Sequence, residues 1–170
     1  MKKLLLLLTI CLVHLYADAQ TIDKKLLIGK WMMYSMGGEG HTISRDSLEQ
    51  DIAGMIALKR AKHPDAPLTV EDSLAASTML KDKFKDLFKS YAIYNGDGTC
   101  TMYSGIRTDE KGKTEQTGTY VWSGDSKIIQ TLGESNPEAF LIVSLTAHKL
   151  VIRSDKKSDQ EMKLEMCFVK

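Results

Sequence analysis

Long apolar runs are missing from almost the whole chain. The one exception is Leu4 to Tyr16, within the opening "MKKLLLLLTICLVHLYADAQ". It is shorter than the roughly 20 residues a comfortable membrane span takes. Lys2 and Lys3 precede it and the small-x-small pattern Ala17-Asp18-Ala19 follows, so it reads as an export signal cleaved before Gln20. The expectation is a signal peptide over 1–19 and one domain over 20–170, exported to the periplasm or secreted. No membrane span is expected after cleavage, and the exported chain should be soluble.

Cysteine is scarce too. Of three, Cys11 lies inside the leader, where Ile10 is not the small residue a lipoprotein box requires, so a lipid anchor is not expected. Cys100 and Cys167 would meet an oxidising compartment. Alternation within their strands nevertheless places Cys100 with inward Met102, and Cys167 with outward Lys163 and Glu165. Opposite faces do not meet disulfide geometry.

A surplus of charge is absent as well. Removing Lys2, Lys3 and Asp18 leaves 21 basic and 21 acidic residues in 151. A chain without net charge or a basic cluster is not built to neutralise phosphates, which excludes nucleic acid as a partner.

Catalytic constellations are missing. His41, His63 and His148 lie beside turn or loop residues without a spacing that shares a metal. No serine sits in a nucleophile elbow and no cysteine in a catalytic context. Asp97 in "NGDG" lacks the further oxygen ligands of a calcium loop, and a hairpin turn accounts for it. Neither enzyme activity, metal nor cofactor is expected.

What is present is a strand, two helices and a run of strands. The first strand spans 26–36 and ends in the loop "GGEGH" at 37–41. Ser47-Leu-Glu-Gln50 then matches a capping box, followed by Leu48, Ile52, Met55 and Ile56 on one helical face. "KHPDAP" at 62–67 breaks that helix, and Thr69-Val-Glu-Asp72 opens another bearing Leu80, Phe84, Leu87 and Phe88. Lys81, Lys83, Lys85 and Asp86 fall on its solvated face. The helical insertion covers about 44–90. From Tyr91, strands recur about every ten to twelve residues between turns rich in Gly, Asn, Asp and Lys. They are "YAIY", "TCTMYSG", "EQTGTYVWS", "KIIQTL", "AFLIVSLT", "LVIRS" and "QEMKLEMCFV". With the first strand the count is eight, enough for an up-and-down antiparallel barrel that closes on itself.

Gly29-Lys30-Trp31 in the first strand, "NGDGT" at 95–99 and "GTYVW" at 118–122 together resemble the calycin superfamily of lipocalins and fatty-acid-binding proteins. The pattern looks most like bacterial exported lipocalin-like domains. The helical pair after the first strand is similar to the lid of fatty-acid-binding proteins. The likeness departs in lacking a mid-chain Thr-Asp-Tyr, a helix after the last strand, and an Arg-x-Tyr pair in that strand. The resemblance implies an eight-stranded barrel that binds a small apolar or amphipathic molecule. It also implies a helical pair over the mouth, with Phe84 and Phe88 facing the cavity.

Alternation supplies candidate ligand-binding residues. In the last strand Met162, Leu164, Met166 and Phe168 share the inward face. Met33, Met102, Tyr120, Phe140, Ile142, Leu150 and Ile152 are placed inside as well. Arg153 is a candidate anchor for an anionic headgroup at the rim, against the simpler reading of an outward arginine. Gly29 and Trp31 are read as a structural plug at the closed end. The chain after cleavage has eight methionines, whose adaptable side chains suit either a pocket for an irregular apolar ligand or a loosely packed core. The first functional reading is thus non-catalytic ligand binding in the barrel. The alternative is a solid-core barrel acting on a protein partner, as an accessory or inhibitor in the cell envelope. A void lined by these residues separates the two readings, because the binder fails if Trp31, Tyr120 and Phe140 meet on the axis.

Overall fold

The computed structural model describes residues 22–38, 41–62, 69–106, 115–155 and 164–170. The leader with Cys11, His63, most of the "KHPDAP" break, Arg107 and Met162 with its neighbour Lys163 lie outside them.

A 3-10 turn at Lys24–Leu27 leads into β1 (Gly29–Gly38). β2 (His41–Ser44), α1 (Leu48–Lys62) and α2 (Val70–Leu87) follow. The meander comprises β3 (Tyr91–Tyr94), β4 (Thr99–Tyr103), β5 (Glu115–Trp122), β6 (Lys127–Leu132), β7 (Glu138–Leu145), β8 (Lys149–Ser154) and β9 (Glu165–Val169). Each strand pairs antiparallel with the next from β3 onward. β1 pairs with β3 on one side and β9 on the other, closing an eight-stranded barrel. Closure leaves no bare strand edge on the ring.

Two features depart from the sequence reading. The segment taken as a loop and a helix lead-in contains a ninth strand, β2, which pairs with the far half of β1 from Ser35 to Gly38. β1 therefore changes partner midway, with β3 alongside Gly29–Met32 and β2 alongside the rest. At the change, the register of β1 against β9 slips around Tyr34. This bulge puts Met36 opposite inward Met166, and Ser35 opposite outward Cys167. A similar slip around Val143 separates Ile142 from Ser144. One extra residue reverses which side chains face inward beyond it.

Helix starts also differ from expectation. At α2 the capping box forms as read, Thr69 and Asp72 satisfying each other's backbone N–H groups. At α1 it does not. Ser47 turns its hydroxyl to Asp51 at 2.6 Å, and the same carboxylate accepts the Ser44 N–H at 3.0 Å. The Ser47 N–H goes instead to the Ser44 hydroxyl at 3.3 Å, so no reciprocal box forms with Gln50. Met55, expected on the inner face of α1, is exposed, while Leu48 and Ile52 are buried.

The end of the barrel that carries the turns at 95–98, 123–126 and 146–148 is called lower here. Trp31 is fully buried there, and its indole N–H donates to the Leu27 carbonyl at 2.7 Å. Gly29 has φ of 131°, a conformation that side chains rarely adopt, and a Cβ would lie 3.1 Å from Lys170 Cε. The glycine of Gly-x-Trp is thus required by backbone shape, and the Lys170 side chain packs close against it. The helical pair belongs to the upper end, where β2 enters it and β3 leaves it. Leu48, Ile52 and Phe88 join the same buried cluster as Met33, Ala92 and Phe168.

Candidate functional site

Directly opposed residues of an antiparallel pair project to the same side of the sheet. Register therefore identifies the inward positions, and burial divides them into a sealed set toward the lower end and a more accessible set toward the upper. In the sealed set Trp31, Tyr94, Cys100, Ile128, Leu150 and Ile152 are all essentially inaccessible. This set is packed solid. Tyr94 and Tyr120 meet edge to face with centroids 5.0 Å apart, and the Tyr120 hydroxyl donates to the Asn95 carbonyl at 2.8 Å.

The more accessible set is different. Met36, Met102, Gln116, Leu132, Ser154 and Met166 all take inward register positions. Each is nevertheless only half-buried. Met36, Met102, Leu132 and Met166 pack against the buried core while keeping some access to solvent.

The candidate residues divide between these sets. Met102 and Met166 lie in the more accessible one, half-buried against the core. Met33 is buried in the same cluster, as is Phe88, whose ring stacks on half-buried Phe84 at a centroid distance of 6.3 Å. Tyr120, Phe140, Ile142 and Ile152 are buried core residues, so their first role is packing. Tyr120 and Phe140 share one buried cluster with Trp31. Arg153 stands opposite Leu141 and Glu165 in register, on the outer face. Cys100 points inward, Cys167 outward, and both are free thiols.

Gln116, Gln130 and Met36 escaped the sequence reading. Gln130 is only 2% exposed, and its side-chain amide donates to the Tyr94 hydroxyl across a short contact. "KIIQTL" has apolar residues at both parities, so its text does not disclose which face is inner. Pairing with Tyr120 on the neighbouring strand settles it. Met36 faces inward only because of the bulge at Tyr34.

Burial controls the ionisation of this interior. It raises the Tyr94 phenol well above its ordinary range, the nearby Cys100 adding to the effect and the Gln130 bond opposing it. Burial also pushes up the Cys100 thiol and the Tyr120 phenol. These groups hold their protons and leave the lower core neutral. Among the described residues no cluster of three or more His, Cys, Asp or Glu side chains is placed to hold a metal.

A concavity lies outside the ring, an open groove of about 900 Å³ where β1 meets the start of α1 and the end of α2. Outward Met32, Leu48 and Phe88 line it together with charges of both signs, among them Arg45, Asp46 and Lys85. Asp46 accepts from the Tyr34 hydroxyl at 2.9 Å. Glu49, also on the groove, pairs with Lys81 at 3.0 Å, which holds its carboxyl below the usual range.

No family model matches the chain, and no curated protein matches it in sequence. Among solved structures it is similar to a DUF4847 family protein from Bacteroides vulgatus ATCC 8482, at 11% identity and a TM-score of 0.49. The likeness covers 86% of this chain and 95% of that one. At this level it carries no argument about the site.

Proposed function

We propose that the protein is an exported, non-catalytic binder of a small apolar or amphipathic molecule, held in the upper half of the barrel beneath the helical pair. One observation carries the reading. Met36, Met102, Gln116, Leu132, Ser154 and Met166 hold inward positions toward the upper end yet are only half-buried, whereas Trp31, Tyr94, Cys100, Ile128 and Leu150 are sealed. That region is methionine-rich, with Met36, Met102 and Met166 beside buried Met33, and such side chains repack around irregular apolar shapes. Affinity would come from apolar area removed from water, at about 25 cal/mol per Å² before the entropic costs of binding. Arg153, on the outer face, is set aside as a headgroup anchor.

The test is native mass spectrometry of protein purified from its own host, with solvent extraction of bound lipid. The expected result is a recurrent adduct that Met102→Trp abolishes by filling the space, while the thermal midpoint stays within a few degrees. Repeated recovery of bare protein, together with no thermal shift from a panel of apolar molecules, would sink the reading. The alternative, a barrel that acts on a protein partner, is supported by exposed apolar residues on α2. Val70 is 83% and Leu74 68% exposed. Pull-down from the native envelope fraction that depends on Leu74 but not on Met102 would favour it.

A further inference from the structure

We propose that the part of the ligand entering the barrel is uncharged and carries a neutral hydrogen-bonding group, such as a hydroxyl, a ketone or an amide. This rests on the upper half of the barrel being the ligand site.

Register assigns the charges of the barrel wall. Lys30, Glu115, Lys127, Lys149, Arg153 and Glu165 all occupy outward positions. Among the described residues of the eight barrel strands, the one charged side chain on the inward face is Glu138. It pairs in register with Gln130 and is exposed at the upper rim. No cation of these strands faces the interior. A carboxylate or phosphate taken inside would lose its hydration without a compensating charge from the described residues of these strands, which is strongly unfavourable. Glu138 at the mouth adds repulsion.

Neutral polar groups, by contrast, occupy inward positions. Gln116 stands opposite Met102 and Gln130 opposite Tyr120, both on inward faces, and Ser154 stands opposite Phe140. A primary amide carries two N–H donors and an acceptor oxygen, so it can meet a hydroxyl, a carbonyl or another amide. Gln130 commits one donor to Tyr94. Gln116 is half-buried and lies further toward the mouth. A hydrogen bond at such a site discriminates strongly, because a ligand without the matching group leaves a desolvated amide unpaired. The interior therefore selects a polar but neutral group on an apolar body.

The experiment is calorimetric titration of the purified protein at pH 8 with four matched probes, namely dodecane, dodecanol, dodecanamide and dodecanoate. Dodecanol and dodecanamide are expected to bind, with dodecanoate weaker by about tenfold or more, about 1.4 kcal/mol. Gln116→Leu should weaken dodecanol by about fivefold and leave dodecane unchanged. Because Gln130 also holds Tyr94, Gln130→Leu serves only as a second variant, read after its folding is checked by circular dichroism. Dodecanoate binding as tightly as dodecanol overturns the proposal and leaves the barrel site standing. Dodecanol binding no better than dodecane, or unchanged by both glutamine variants, overturns the hydrogen-bonding part. If none of the four binds, the barrel site itself is overturned.

Discussion

The ammonium of Lys170 lies 4.3 Å from the centroid of the Trp31 ring, joining the chain's last residue to the tryptophan of its first strand. The same nitrogen donates to the Leu26 carbonyl at 3.0 Å and the Ile28 carbonyl at 2.9 Å. One side chain thus ties β9, β1 and the 3-10 turn together at the lower end. Lys170→Met keeps the apolar stem and removes the charge and both hydrogen bonds. It should cost about 1–2 kcal/mol, or about 2–8 °C in thermal midpoint. Trp31→Ala should cost more, about 3–5 kcal/mol. Urea unfolding followed by circular dichroism reads both, and a Lys170→Met midpoint equal to wild type would mean that the latch contributes nothing.

Arg45 mends the place where β1 exchanges β3 for β2. One guanidinium nitrogen donates to the Met33 carbonyl at 2.8 Å and the Phe88 carbonyl at 2.6 Å. Without it, two carbonyls at the junction of barrel and helices lose a charged donor. Arg45→Ala is expected to cost about 1.5–3 kcal/mol. The damage should be local, with faster hydrogen exchange at the Met33 amide, which donates to the Ser90 carbonyl at 2.9 Å, and earlier proteolysis within α1 and α2. Uniform loss of protection around the whole barrel would contradict a seam at this position.

That seam explains why some of the architecture was legible and some was not. The meander could be read because its strands alternate and its turns are rich in Gly, Asn and Asp, signals that act over a few residues. The helices could be read from their 0, 4, 7, 8 spacing, and Thr69–Asp72 formed the cap its spelling implies. β2 was missed because its four residues, His41 to Ser44, have no alternation strong enough to outweigh the glycines before them. The bulges at Tyr34 and Val143 were missed because a slip in register is a property of two strands together. Hence alternation in β1 hides the inward turn of Met36, while Gln130 is hidden by the apolar residues at both parities of its own strand. Tyr120 and Phe140 were placed inward as the register has them, but alternation says nothing of depth along the axis. Depth separates packing residues from lining residues.

Glycine substitutions should act in opposite directions at two positions. A Cβ at Gly105 would sit 1.6 Å from the Asp86 carbonyl oxygen, in the backbone at the end of α2. The Gly105 N–H also donates to the Ser90 hydroxyl at 2.9 Å. Gly105→Ala must push the end of β4 away from the helix, at a cost of about 1–3 kcal/mol. Gly54 lies within α1, where a Cβ would meet nothing within 4 Å. Gly54→Ala should stabilise by about 0.5–1 kcal/mol, since alanine favours the helix and restricts the unfolded chain. Thermal midpoints moving in the same direction would refute the packing described for one of them.

Alkaline pH should unfold the protein through its lower core. Tyr94 and Cys100 oppose each other across β3 and β4, and burial raises both acids above their ordinary values. Each is neutral when protonated, so between its unfolded and folded pKa the native state keeps a proton that the unfolded chain gives up. Stability is then complete below the ordinary cysteine value of about 8.5, and falls as pH rises through that value and the tyrosine value near 10. The urea midpoint should be flat from about pH 7 to 8 and decline steadily from about 8.5 to 11. Cys100→Ala should reduce the early part of the decline. Tyr94→Phe should reduce the later part, even though it starts from a lower midpoint because Gln130 loses the hydroxyl it donates to. Lysine neutralisation and the other tyrosines contribute equally to wild type and variants, so the informative quantity is the difference in slope. Identical slopes in all three proteins would show that neither group resists ionisation in the fold, and that the lower core admits water.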